Sequence, residues 1–396
     1  MRRAWIILLP LGIPLAGCGH LTGAPVPELA PPIEERAAQD PVIAPDADSA
    51  AAADAAETEA EFVELFARMR SGFALPAVTN HAVQREIERY RAHPASLART
   101  FDRGRRYLYH IIEEIDAREL PKELALLPVV ESAFDPFALS RQRAAGLWQF
   151  LPDTGRSYGL AQDWWTDDRR DVREATRAAL DHLSSLHEDF GGDWLLALAA
   201  YNAGPSRVKR AMMRCERRGE PADFFSLGLP AETRRYVPRL LAIARIVADP
   251  EKVGIALPEI PNEPYFAPVD VAHQVDLDRV ADLAEIPRAE LRALNPGFRR
   301  WATAPSGPHE LLVPTADRER FEQVLAELPP SQRMRLVRHR VEGGDTLYAI
   351  ARRHGIPLEM LRSVNRIRGS RIRIGQDLLI PLPTDTKPAM AHRDEA

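Results

Sequence analysis

Residues 120–140 read LPKELALLPVVESAFDPFALS, and the rest of the chain is read outward from them. A single glutamate, Glu131, closes the apolar run that holds Leu126, Leu127, Val129 and Val130. Apolar neighbours disfavour the ionised form of a carboxyl group and raise its pKa. A carboxyl that stays protonated near neutrality can give its proton to a leaving oxygen, so Glu131 is a candidate general acid. A glutamate beside an apolar run can equally be solvated or ion-paired, and its surroundings have to decide.

On either side of this stretch the apolar residues between Phe62 and Asp249 fall mostly at helical spacing, with no convincing alternating strand. A largely helical domain over 62–250 is expected. Leu97, Phe101, Leu108, Ile111, Ile112 and Ile115 share one face, with Arg103, Arg106, Glu113 and Glu114 turned mainly outward, which reads as one amphipathic core helix. A second apolar helix runs from Trp194 to Ala203 and is stopped by Gly204-Pro205; a third runs from Tyr236 to Val247 and is stopped by Asp249-Pro250. Trp164, Trp165 and Trp194 either stack on sugars or pack in a core, and the sequence leaves both open.

Three further segments follow in order: Gly146-Leu147-Trp148-Gln149-Phe150, Ala200-Tyr201-Asn202-Ala203-Gly204 and Glu232-Thr233-Arg234-Arg235-Tyr236-Val237. Together with Glu131-Ser132 they resemble the signatures of the SLT-type lytic transglycosylase domain family, whose fold is goose-type lysozyme-like and mainly α. The resemblance implies that Glu131 is the catalytic acid and base and that Ser132 positions substrate. It implies that Gly146, Leu147 and Gln149 lie at the substrate, that Tyr201 and Asn202 line the cleft, and that Tyr236 orients the catalytic carboxyl. Plainer roles exist for several of these: Ser132 can cap a helix, Asn202 can end one, and Tyr236 can be a core residue with a satisfied hydroxyl.

The implied reaction cleaves peptidoglycan between N-acetylmuramic acid and N-acetylglucosamine. Protonated Glu131 protonates the glycosidic oxygen while the 2-acetamido group supports the developing positive charge. Deprotonated Glu131 then takes the proton of the muramyl 6-hydroxyl as a 1,6-anhydro ring closes, a step favoured by proximity. On the residues alone hydrolysis stays open, with Asp135, Asp153, Asp163 or Asp167 as the carboxylate that would activate water. A wall-binding scaffold without chemistry is the other reading, and the presence of Glu131, Gln149, Tyr201 and Tyr236 speaks against it.

The chain has 396 residues, enough for two or three domains, and its composition of 45% apolar and 28% charged residues is that of a globular protein. A net charge of -5 excludes a general polyanion binder, and no nucleic-acid partner is expected. Residues 1–17 read as a signal, with Arg2 and Arg3 ahead of an apolar run from Trp5 to Ala16 that Pro10 and Pro14 make a poor membrane span. Leu15-Ala16-Gly17-Cys18 resembles a bacterial lipobox, which implies lipidation at Cys18 and a membrane anchor. Gly19 in place of Asp points by the same resemblance to the outer membrane, facing the periplasm. Residues 18–61 read as a solvated tether, Ala- and Pro-rich, with ten acids against Arg36.

Past a connector over 251–264 the chain repeats itself. Leu277, Val280, Ala281, Ile286-Pro287, Leu291 and Asn295 correspond to Leu347, Ile350, Ala351, Ile356-Pro357, Leu361 and Asn365, so two small βααβ units are expected over 265–315 and 337–383. The second resembles a LysM module, a binder of N-acetylglucosamine-containing glycans, and Gly344, Asp345, Thr346, Leu347 and Asn365 carry the likeness as its glycan-binding candidates. Its nine arginines against four acids either attract wall anions or form a solvated face. In the first unit Ala272-His273-Gln274-Val275 replaces the Glu-Gly-Gly-Asp approach, so this unit is degenerate and is expected only to pack. A disordered tail is expected over 384–396.

No cofactor and no metal are expected: the histidines are scattered, and neither a His-Glu-x-x-His nor a Cys-x-x-Cys spacing occurs. Cys215 reads as a lone structural or surface thiol. The expected partners are peptidoglycan glycan strands and, through Cys18, a membrane; the chain is expected to be a monomer.

Overall fold

The 18-residue helices Val172–Asp189 and Ala231–Ala248 frame the first domain in the computed structural model, which describes residues 64–304, 307, 309–329, 333–334 and 336–382. The readings of a signal, of Cys18, of the tether and of the tail lie outside the described residues. No helix among the described residues is long and apolar enough to cross a membrane.

Between the two long helices lies Trp194–Ala203, apolar on every face and buried from Leu196 to Ala200, as a helix at the centre of a bundle must be. Asp193 caps it by accepting from the Leu195 and Leu196 amides. At its far end Gly204 adopts φ +85, and Pro205 opens the next helix, Pro205–Glu216, from its first turn. Pro205, read from sequence as a stop, is therefore also a start.

The single amphipathic helix expected over Leu97 to Ile115 is two helices, Pro94–Gly104 and Leu108–Asp116. The break has a tertiary cause. A Cβ on Gly104 would stand 2.7 Å from the Phe134 ring, and the buried Tyr107 turns to donate its hydroxyl to the Ala293 carbonyl at 2.9 Å. The apolar face is nevertheless continuous, because Leu97, Phe101, Leu108, Ile111, Ile112 and Ile115 all enter one core.

The C-terminal region holds two βααβ units. Phe266–Asp270 pairs antiparallel with Glu310–Pro314, placing Val269 opposite Leu311, and Leu336–Arg340 pairs antiparallel with Asp377–Pro381, placing Val337 opposite Ile380. Each hairpin encloses two short helices: Leu277–Leu283 and Arg288–Leu294 in the first unit, Leu347–Arg353 and Leu358–Val364 in the second. The repeat extends to the hydrogen bonds. Asn295 donates to Leu291 O and Leu312 O and accepts from Leu312 N; Asn365 does the same with Leu361 O, Leu379 O and Leu379 N. The first unit gains a helix that the repeat does not contain, Arg318–Glu327, whose Phe321 and Leu325 close its core.

The first unit is docked on the helical domain. Its Leu294 and Leu312 belong to the core of that domain, Arg106 forms a bidentate pair with Glu290 at 2.8 and 2.7 Å, and Tyr265 donates to Glu290 at 2.8 Å. Its loop at 297–300 meets residues 163–167: Asp167 N donates to Gly297 O, Arg299 N to Trp165 O, and Arg300 lies 3.6 Å from the Trp164 ring. Trp165, together with Trp301, packs against the core of the second unit. Trp194 stacks on His187 at 4.0 Å.

Candidate active site

Glu131 ends a short helix, Leu127–Glu131, that continues a 3-10 turn over Lys122–Leu126. Leu124, Ala125, Leu126 and Leu127 are fully buried, so the segment is anchored by apolar packing and delivers its last side chain to the surface of a cleft. The helix stops because Ala133 and Phe134 adopt φ +52 and +56, a left-handed pair that costs non-glycine residues energy unless neighbours enforce it. Two neighbours do: Arg103 donates twice to the Ala133 carbonyl at 3.0 and 2.7 Å, and the Phe134 ring is fully buried beside Tyr107.

The cleft has a volume of about 610 Å³ and is lined by Glu131, Gln149, Tyr201, Asn202 and Tyr236 among the candidates, on segments 18 to 105 residues apart from Glu131 in sequence. The Tyr236 hydroxyl donates to Glu131 Oε1 at 2.6 Å. Desolvation pushes the Glu131 carboxyl up to about 7; the Tyr236 hydrogen bond and the Arg239 charge oppose that rise, and the Glu232 charge adds to it. Burial, reinforced by the Glu131 charge, pushes the phenols of Tyr201 and Tyr236 well up, so both stay protonated donors. The Tyr201 hydroxyl donates a hydrogen bond to Trp148 O at 2.9 Å, and Asn202 Oδ1 accepts from Thr233 at 2.8 Å, which joins two of the sequence segments directly.

Gln149 stands at φ +51 in a tight turn, its amide donating to Gly146 O at 2.9 Å. Gly146 is at φ +80, and a Cβ there would lie 2.1 Å from the Arg169 carbonyl oxygen, so only glycine fits. Arg169, itself buried, pairs with Asp167 at 2.8 and 2.7 Å and donates to the carbonyls of Arg143 and Phe150 at 2.6 and 3.1 Å. This wall of the cleft thus hangs on an arginine whose partner, Asp167, is held in turn by Gly297 of the docked unit.

Ser132, Gly146 and Leu147 do not line the cleft. The Ser132 hydroxyl bonds to Leu147 O at 2.9 Å and lies 3.2 Å from Pro128 O, tying the end of the Glu131 helix to the Gln149 turn, and Leu147 is buried. Asp135, Asp153, Asp163 and Asp167 are also absent from the lining. Asp135 and Asp163 accept from backbone amides of their own turns, Asp153 pairs with Arg156, and Asp167 with Arg169. Among the described residues the other carboxylate lining the cleft is Glu232, which sequence reasoning quoted within a motif without giving it a role; Arg235, Arg239, Ser140 and Gln142 line the cleft as well. For Glu232, Arg235 and Arg239 the only signal was proximity to Tyr236, since Glu232 and Arg239 lie one helical turn to either side of it.

In the second βααβ unit the candidate residues turn to their own backbone. Gly344 is at φ +90; Asp345 accepts from Glu342 N at 3.0 Å and lies 2.9 Å from His339 Nε2; Thr346 caps a helix through Ala349 N; Leu347 is buried. Asn365 clamps a helix to a strand as described above. Tyr348 and Ile374 are the strongly exposed apolar side chains beside these residues, and a Cβ on Gly343 would come within 3.9 Å of Ile374. Among the described residues no group of three or more His, Cys, Asp or Glu is arranged to hold a metal ion.

Comparison with known proteins fits this geometry. Residues 109–223 match the transglycosylase SLT domain, 265–329 match the lytic transglycosylase MltD LysM-like domain, and 339–381 match the LysM domain. The chain is 38% identical over 315 residues to membrane-bound lytic murein transglycosylase D of Escherichia coli (strain K12), covering 76% of this chain and 69% of the relative. It is 35% identical over 116 residues to the peptidoglycan transglycosylase gp16 of Escherichia phage T7, 29% of this chain and 8% of that one. It is 28% identical over 130 residues to the soluble lytic murein transglycosylase of Escherichia coli (strain K12), 32% of this chain and 20% of that one.

Proposed function

The chain belongs to the family of membrane-bound lytic murein transglycosylase D, peptidoglycan lytic transglycosylases with LysM wall-binding domains, and we propose that Glu131 is the acid and base through which it works. The observation that carries this assignment is the Glu131 carboxyl, raised to about 7 by desolvation and held by Tyr236 at 2.6 Å.

Protonated Glu131 gives its proton to the oxygen between N-acetylmuramic acid and N-acetylglucosamine, and the bond from muramyl C1 to that oxygen breaks. The muramyl 2-acetamido group supports the charge left at C1. The muramyl 6-hydroxyl then attacks C1, its proton passes to the Glu131 carboxylate, and the acid is restored with a 1,6-anhydro product and no water consumed. Tyr236 holds the carboxyl through both steps. Gln149 and Asn202 line the cleft as polar contacts for the sugar, while Ser132, Gly146 and Leu147 support the turn from which Gln149 projects.

A hydrolytic alternative would need Glu232 as the base for water, since it is the second carboxylate lining the cleft. Comparing Glu131→Gln with Glu232→Gln on purified peptidoglycan separates the two. Loss of activity in Glu131→Gln with most of it kept in Glu232→Gln is expected; equal loss in both would favour hydrolysis.

The finer assignments follow the N-terminal sequence. Lipidation at Cys18 after removal of the signal anchors the protein to the outer membrane on its periplasmic side, and the acidic tether lets the enzyme reach the wall. The enzyme works as a monomer. The second βααβ unit holds glycan near Gly344 and Ile374, and the first, docked on the helical domain, packs rather than binds.

A further inference from the structure

Beside the cleft, and sharing Ala231 and Arg235 with it, lies a second pocket of about 340 Å³. Its walls are Arg85, Arg234 and Arg235, its base is Ala82, Ala231 and the buried Phe224, and Phe225 stands 42% exposed at its edge. Among the described residues no carboxylate lines it. The nearby acid Glu86 is 4% exposed and already engaged by Arg89 at 2.9 Å and Arg235 at 3.4 Å, and Arg85 and Arg234 have no ion-pair partner among the described residues. Other arginines of this domain do have carboxylate partners: Arg68 with Glu113 and Asp116, Arg106 with Glu290, Arg169 with Asp167, Arg177 with Glu174 and Asp181.

Phe225 is presented by a fixed turn. Asp223 accepts from the Phe225 and Ser226 amides at 2.9 and 3.2 Å and from the Ser226 hydroxyl at 2.7 Å, which fixes the backbone that carries the exposed ring lining the pocket. The site therefore offers forked cationic donors, small apolar contacts and one aromatic edge. That is the complement of a short peptide of small apolar and carboxylate-bearing residues, because guanidinium groups bind carboxylates through paired, charge-assisted hydrogen bonds.

Taking peptidoglycan as the substrate, as proposed above, the muramyl sugars of strands not yet stripped by an amidase carry such a peptide on the lactyl group, and a strand seated in the cleft has to lead it out past the rim. We propose that the pocket walled by Arg85, Arg234 and Phe225 is a subsite for the stem peptide of the muramyl residue at the cleft. The enzyme thereby prefers strands that still bear peptides over strands stripped of them.

The test uses the full chain and two glycan substrates of matched length, one with stem peptides and one stripped by an amidase that leaves the lactyl carboxylate. With Arg85→Gln/Arg234→Gln the expected result is a rise in KM of about tenfold on peptide-bearing strands, with kcat unchanged and neither parameter altered on stripped strands. The KM of the parent on peptide-bearing strands should also rise with salt more steeply than that of the double variant, since exposed charges are screened. An equal rise in KM on both substrates would overturn the proposal and leave a general attraction for the strand; so would no change on either. Failure of the parent to cleave either substrate would instead overturn the functional reading beneath it.

Discussion

Tyr236 and Glu131 are 105 residues apart in the chain, and their side chains meet at 2.6 Å on the cleft wall. A hydrogen bond donated to a carboxylate favours its ionised form, so this contact holds the Glu131 pKa below the level that burial alone would set. Tyr236→Phe should therefore shift the alkaline limb of the kcat/KM profile upward from about pH 7 while lowering kcat by ~10- to 100-fold, because the acid loses its orientation. A pH–rate profile of the variant checks both; a limb that moves down would contradict the account.

The same carboxyl makes stability depend on pH. Its folded pKa of about 7 lies above the ordinary glutamate value of 4.5, so between these pH values the folded state holds a proton that the unfolded state has released. Stability then falls as pH rises through this window and is lowest above it. Glu131→Gln removes the buried charge and should stabilise the fold at pH 8 by up to ~3 kcal/mol, with the gain vanishing near pH 4. Thermal melting of both proteins at the two pH values measures it.

Arg169 and Asp167 support the opposite wall. Removing one partner strands a buried charge, so Arg169→Met should cost ~3–5 kcal/mol, and Asp167→Leu/Arg169→Met should recover part of it because neither charge is then left alone. Denaturant unfolding of the single and double variants tests the pair. The Arg143 carbonyl loses its Arg169 donor in both and the Phe150 carbonyl keeps only the Ala145 amide, so activity should stay low in the double variant even where stability returns.

The docked βααβ unit makes a different prediction from the second one. Ending the chain at residue 260 removes Leu294 and Leu312 from the helical core together with the Arg106–Glu290 pair, and should lower stability by ~3 kcal/mol or more. Ending it at residue 329 keeps these contacts and should change the melting of the helical domain much less. Comparable losses in both truncations would contradict the docking described here.

Helical spacing made Trp194–Ala203 and most of Ala231–Ala248 legible, because a buried bundle imposes its period on the apolar residues. The latter starts at Ala231, five residues before the expected Tyr236, because its first turn buries only Thr233 and so shows no apolar period. The break after Gly104 was not legible at all, since its causes are a ring at Phe134 and a carbonyl at Ala293, 186 residues from Tyr107. Of the motif residues, Glu131, Gln149, Tyr201, Asn202 and Tyr236 came together at the cleft. Ser132 and Leu147 were placed at the substrate by their position in a motif, whereas their contacts are with backbone and core; sequence order does not tell a residue that touches substrate from one that supports it. Asn295 and Asn365 were legible as a repeat, and only the structure assigns their amides to the same clamp in both units.

The most direct test of Glu131 as the acid and base of a water-free cleavage is mass spectrometry of the muropeptides that the protein releases from purified peptidoglycan, with Glu131→Gln in parallel. The account predicts products lighter by one water than hydrolytic ones, formed by the parent and absent with the variant. Reducing-end products of full mass, or anhydro products that persist in Glu131→Gln, would contradict it.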